Sequence, residues 1–197
     1  MSYLTTHWLE VSGALISLVY LYFSVRQIIW LWPFGILSAL LYSIVFGTNG
    51  FYASMGLQGY YLGISVYGWW NWSRRRGRGV DQDRADISLR VTMTGRRTAS
   101  IAAVVFLLLW LVLSWMLDKL TDSTVPVWDA LTTAGGIVAT WMLARKLLEH
   151  WLVWIFVDTV AWIVYLNKGL YPTAILYMIY TVIAVVGFVQ WRKTMAQ

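Results

Sequence analysis

Seven apolar stretches divide this chain, each near the ~20 residues that a helix needs to cross the hydrocarbon core of a bilayer. They run from Trp8 to Arg26, Ile28 to Gly47, Phe51 to Trp72, Ala99 to Leu117, Val127 to Ala144, His150 to Leu166 and Leu170 to Trp191. The expected fold is an all-α polytopic membrane protein with seven transmembrane helices. Pro33 falls in the first turns of the second stretch, where its missing N–H is tolerated. Thr48-Asn49-Gly50 reads as a tight turn before the third.

Composition agrees. Hydrophobic residues make up 59% of the chain and charged residues 12%, against about 45–50% and about 25% in soluble proteins. There are too few charges to clothe a water-facing surface. The 14 Trp and 12 Tyr suit membrane interfaces, where an amphipathic ring sits half wet; they also suit pockets for flat organic ligands. Cysteine is absent, which rules out disulfides and thiolate metal sites. No basic region precedes the first stretch and no small-residue cleavage site follows it, so the chain from Trp8 reads as a retained span.

The net charge of +6 is concentrated. Eight of the 15 basic residues lie between Arg74 and Arg97. That loop, Arg145-Lys146 and the tail Arg192-Lys193 fall on one side of a seven-span drawing, joined by Arg26; the other side has only Lys119 and Lys168. Positive residues collect on the cytoplasmic face, so the N-terminus is expected outside and the C-terminus inside. Charge gathered this way serves orientation, and nucleic acid is not an expected partner.

The chain also repeats itself. Tyr52 to Trp72 aligns with Tyr171 to Trp191 at an offset of 119 residues, matching Tyr61 with Tyr180, Gly68 with Gly187 and Trp72 with Trp191. The first members match more weakly, Trp8 with Trp128 at 120 and Trp30 with Trp151 at 121. Repeated hydrophobic units mark many secondary transporters, whose sites lie between the repeats. Here a single span separates the triplets, so they run in the same direction. The expectation is two parallel three-helix repeats, 1–73 and 127–197, with a basic loop and linker helix at 74–126.

Asp158 stands in the middle of the sixth stretch. A lone carboxylate at mid-membrane costs about 2.5–3.5 kcal/mol on insertion scales, so it needs a cavity or a partner. Trp151, Trp154, Trp162 and Tyr165 share its helical face. An anion framed by rings suits a cationic aromatic ligand; hydroxyls or indole N–H groups of a neighbouring helix would serve as well. Gln58 shares a face with Tyr61, Ser65 and Trp69 on the third stretch, as a ligand-binding amide or as a bond between helices. Tyr177 and Tyr180 lie on one stripe of the seventh, as the opposite wall of a cavity or as packed core; at the repeat offset Tyr177 answers Gln58. Asp129 and Glu149 read as helix-terminal residues, Glu10 as interfacial and His7 as solvated.

No Walker A, HExxH or GxSxG motif is present. One deep acid is too few for a multi-carboxylate proton path, which favours facilitated diffusion over ion-coupled pumping. A membrane enzyme or assembly subunit would gather polar residues near one face, whereas here they stand singly among aromatics. No enzyme activity and no cofactor are expected.

The run Gln58-x-x-Tyr61-x5-Tyr67-Gly68-Trp69-x-x-Trp72 resembles the third-span pattern of the PnuC family of bacterial vitamin transporters. Trp151, Trp154, Asp158, Tyr165, the Lys168–Tyr171 turn and Gly187 to Trp191 are similar to the family's C-terminal half. The resemblance implies a full-length relative of the SWEET sugar transporters in a 3+1+3 arrangement, in the bacterial inner membrane. It implies nicotinamide riboside as substrate, with thiamine as the alternative; riboflavin, which carries no positive charge, fits Asp158 less well. Transport would run downhill, with a cytoplasmic vitamin kinase trapping the product, and homotrimers are implied. Gln58 and the third-span aromatics would contact substrate, facing the sixth and seventh spans.

Overall fold

The computed structural model describes residues 8–48, 52–74, 90–121 and 125–195. Seven helices carry nearly all of them: α1 Trp8–Val25, α2 Leu31–Thr48, α3 Tyr52–Arg74, α4 Arg96–Leu120, α5 Pro126–Ala144, α6 His150–Asn167 and α7 Tyr171–Met195. The expected turn at Asn49-Gly50, most of the basic loop, His7 and the Glu10 side chain lie outside the described residues. All three prolines, Pro33, Pro126 and Pro172, stand within the first three positions of a helix, where an amide has no intrahelical acceptor to lose.

Among the described residues α4, α6 and α7 are long and apolar enough to cross a membrane, with mean hydropathies of 2.5, 1.3 and 2.0. Shorter apolar runs occupy Ile16–Val25 and Leu31–Ile44. α4 is almost bare, with Val104, Leu108, Leu111 and Trp115 each more than half exposed. Such a helix is stable only where hydrocarbon replaces water around it. Hydroxyls on the helices turn back on their own backbone: Ser43 donates to the Ala39 carbonyl and Thr140 to that of Gly136, both at 2.7 Å.

The chain forms two compact units, Met1–Leu89 and Arg90–Gln197. In the first, α2 packs on α1 and α3; in the second, α4 packs on α5, α5 on α6 and α6 on α7. α4 therefore belongs with the helices that follow it. Ala102 on α4 meets Val138 and Met142 on α5, with Phe106, Leu109, Trp141, Leu147 and Val153 around them. The Trp110 indole N–H donates to the Val127 carbonyl at 3.0 Å, fixing the other end of this contact.

Local structure in the two units corresponds at a single offset of 119. α2 and α6 begin and end at equivalent residues. α1 stops with Gln27 in the left-handed region (φ 56°) and α5 with Lys146 (φ 54°). The bonds around them match: Gln27 N–H to Ser24 and Ile28 N–H to Phe23 (3.1 and 2.8 Å), against Lys146 to Leu143 and Leu147 to Met142 (2.9 and 3.0 Å). These are the paired bonds that close a helix at a left-handed residue. Arg26 lies over the Tyr22 ring at 5.9 Å and Arg145 over the Trp141 ring at 5.0 Å. Gly169 (φ 72°) closes α6 in the same way.

The tryptophans follow suit. Trp32 meets Trp72 edge-on (5.5 Å, 86°), and Trp151 meets Trp191 likewise (5.7 Å, 86°). Each pair closes over a glycine: a Cβ at Gly68 would lie 2.4 Å from the Trp32 ring, and one at Gly187 2.6 Å from the Trp151 ring. Trp32 is thus the counterpart of Trp151, correcting the match of Trp30 to Trp151 at 121. Trp30 stands on the α1–α2 turn, 61% exposed. In so Trp-rich a segment, matching by residue type alone slipped by two positions.

Candidate functional site

In the second unit the candidate site is centred on Asp158. α6 carries it at mid-length, where Val157 presses against the bare backbone of Gly135; a Cβ there would lie 2.3 Å from Val157 Cγ2. α5 therefore comes close to α6 at the level of the carboxylate. Asp158 is 5% exposed, and among the described residues no hydrogen bond or ion pair reaches it. A buried carboxylate without a donor is costly unless something else supplies one.

Trp154 and Trp162, one turn to either side, are half-buried. Tyr165, about 10 Å further along the helix at 1.5 Å per residue, stacks on Tyr177 of α7 (5.3 Å, 28°). Tyr177 in turn meets Tyr180 edge-on at 5.5 Å. The α6 face and the α7 stripe thus join in one aromatic cluster, near the α6 C-terminus and the α7 N-terminus. Trp151 differs from its neighbours: 1% exposed and closed between Gly187 and Trp191, it is a packing residue and offers no face to a ligand.

In the first unit Gln58, Tyr61 and Ser65 occupy one face of α3. Gln58 and Tyr61 are half-buried. Ser65 is buried against α2, with its Oγ 2.8 Å from where a Gly35 Cβ would stand. Tyr61 packs edge-on to Tyr60 at 5.5 Å. Trp69, at the far end of this face, is 44% exposed, while Trp72 is buried.

Two residues had no place among the expected site residues: Tyr20, which the sequence reading did not single out, and His150, which it read with Glu149 as opening the sixth span. Tyr20 on α1 reaches Gly35 of α2 and is an electrostatic neighbour of Tyr60 and Tyr61. Extending the offset of 119 through the first helix sets Tyr20 opposite the fully buried Ala139, a contrast that would have flagged it. His150 is wholly buried between Trp151 and Trp191 (4.5 and 4.7 Å). Its Nδ1 bonds the Leu147 carbonyl, and no described residue pairs with Nε2. Its counterpart is Leu31, which gave the sequence pattern no polar cue. Glu149 precedes α6 but makes no capping bond to it. It accepts instead from the backbone N–H of Thr94 at 2.8 Å and from the Thr94 hydroxyl.

Apolar helices with exposed flanks, a half-buried polar face in one unit and a buried carboxylate in the other define a helical membrane protein with internal polar positions. The nicotinamide mononucleotide transporter family model matches residues 7–193, and the chain belongs to that family. It is 26% identical over 206 residues to the nicotinamide riboside transporter PnuC of Escherichia coli, covering 93% of this chain and 84% of that protein. It is 30% identical over 190 residues to the riboflavin/roseoflavin transporter RibM of Streptomyces davaonensis, with the same coverages. The fold is similar to the crystal structure of the vitamin B3 transporter PnuC: TM-score 0.71, 21% identity, 96% of this chain and 83% of that one. The family and these relatives are transporters, and this chain is a membrane transporter and no enzyme.

Proposed function

We propose that the chain carries a cationic vitamin, nicotinamide riboside, across the bacterial inner membrane by facilitated diffusion, and that a cytoplasmic kinase traps it by phosphorylation. The observation that carries this reading is Asp158, buried without a described partner. A ligand with a fixed positive charge and a flat ring supplies the missing counter-charge and stacks on neighbouring indoles. The candidate ligand-binding residues are Gln58, Tyr61, Ser65 and Trp69 on α3, and Asp158, Trp154, Trp162, Tyr177 and Tyr180 on α6 and α7. Thiamine, flat and cationic, is the alternative within this reading.

The surrounding arrangement belongs to the same proposal. Seven spans in a 3+1+3 order, with parallel triplets as in SWEET transporters, would put the N-terminus outside and the C-terminus in the cytoplasm. The bias of Arg and Lys between loops supports this orientation, and equivalent turns at one offset support the repeat. The family resemblance supports assembly as a homotrimer.

A second reading, riboflavin transport, is favoured by the 30% identical relative of that name. One titration separates the two. Quenching of tryptophan fluorescence by nicotinamide riboside, thiamine and riboflavin is measured on wild type and Asp158→Asn. The cationic reading expects the substitution to weaken a cationic ligand far more than a neutral one. Tight riboflavin binding, unaltered in the variant, overturns it.

A further inference from the structure

The segment between the basic loop and α4 is tied to the α5–α6 turn by four hydrogen bonds. Thr92 donates its N–H to the Lys146 carbonyl at 3.1 Å and accepts from Leu148 N–H at 2.9 Å, a one-residue parallel bridge to Leu147. Two residues on, the backbone N–H and hydroxyl of Thr94 both donate to Glu149 Oε2. Val91 beside them is buried. At the next turn of chain α4 begins, and its Ala102 and Phe106 pack with Val138, Met142, Leu147 and Val153. The tie therefore closes a ring of contacts running from the 91–94 segment through α4 and α5 to the first turns of α6.

The matching turn of the first unit is built differently. Its paired closing bonds at Gln27 and Ile28 are the same, but the position of Glu149 is taken by the exposed Trp30, and the described residues hold no bridge there. The shared turn needs no strap to form. The added bonds in the second unit must therefore do something other than shape it, and they act on the N-terminal end of the helix that carries Asp158.

We infer that residues 91–94 are a strap that stays closed through the transport cycle, and that Glu149, held by Thr94, is a positioning residue setting where α6 places Asp158. This rests on the transport reading above. A hydrogen bond to a charged group contributes about 1.5–3 kcal/mol, enough to hold a helix end against small displacements but easily removed by one substitution.

The chain has no cysteine, so a T92C/L147C pair can be oxidised cleanly; facing residues on neighbouring strands stand about 4.8 Å apart, within disulfide range. Nicotinamide riboside uptake into proteoliposomes enclosing a kinase and ATP is measured for wild type and for the oxidised and reduced pair. The oxidised pair should transport at the rate of the reduced one. Loss of uptake on oxidation, restored by reductant, would show that the strap opens and overturn the inference. Glu149→Ala should raise the half-saturating concentration about tenfold with little change in maximal rate, and Glu149→Gln, which still accepts from Thr94, should restore it. An unchanged half-saturating concentration, or a fall in maximal rate alone, also overturns it. If wild type itself takes up no substrate, the transport reading has failed; the strap is then tested through Asp158→Asn stability, which must couple to Glu149→Ala in a double-mutant cycle and would deny the positioning role by adding without coupling.

Discussion

Trp32 lies across the bare backbone of Gly68, so close that a methyl group there would sit 2.4 Å from the indole. Trp151 and Gly187 repeat the relationship in the second unit at 2.6 Å. A ring wedged edge-on to a second tryptophan cannot swing aside as a flexible chain would. Gly68→Ala and Gly187→Ala should each destabilise the protein by about 1–3 kcal/mol, the usual cost of overpacking. Thermal unfolding in detergent checks this, and an unshifted midpoint would mean that the helices separate freely.

Gly169 poses the opposite case. Nothing lies within 4 Å of where its Cβ would be, yet its φ is +72°. Gly169→Ala should therefore cost about 1–2 kcal/mol, all of it from the backbone. Gly169→Asn should cost less, since asparagine tolerates the left-handed region. Comparing the two unfolding midpoints isolates conformation from packing.

Asp158→Asn removes a buried charge that no described residue stabilises. The ligand-free protein should become more stable, by about 1 kcal/mol or more, while losing affinity for a cationic ligand. Such opposite signs identify a residue kept for function. A destabilised ligand-free variant would show instead that the carboxylate has a structural partner.

Tyr177 stacks on Tyr165 and meets Tyr180 edge-on. Tyr177→Phe retains both ring contacts and should shift stability by about 1 kcal/mol or less, the size of one hydrogen bond. Tyr177→Ala opens a cavity between α6 and α7 and should cost about 3–5 kcal/mol. Equal effects of the two substitutions would assign the residue's role to its hydroxyl.

Most helix ends were legible in the sequence because apolar runs stop where water begins. The fifth stretch, read as Val127 to Ala144, is the helix Pro126–Ala144, and His150 to Leu166 is His150–Asn167. α4 is longer than its apolar stretch because Arg96 and Arg97 before it and Asp118 and Lys119 after it stay in the helix. The turn at Ile28–Trp30 was hidden: it is as apolar as the helices around it, and its left-handed residue is Gln27 rather than glycine. Trp151 was legible as aromatic on the Asp158 face but not as packed, because its cover is a glycine on another helix, 36 residues away in the chain. Tyr20 and the strap at 91–94 were illegible for a related reason, being defined by neighbours that no local pattern encodes.

The bare outer face of α4, away from α5, has a consequence for the lipid. Its apolar portion, Ala99–Leu117, is ~28 Å long at 1.5 Å per residue, close to the hydrocarbon thickness of an ordinary bilayer. With Arg96 and Arg97 at one end and Asp118 and Lys119 at the other, it cannot slide along the membrane normal without dragging charge into oil. The helix is a depth gauge: it fixes the height at which the second unit rides, and thereby makes the thickness of the host membrane part of this protein's working geometry.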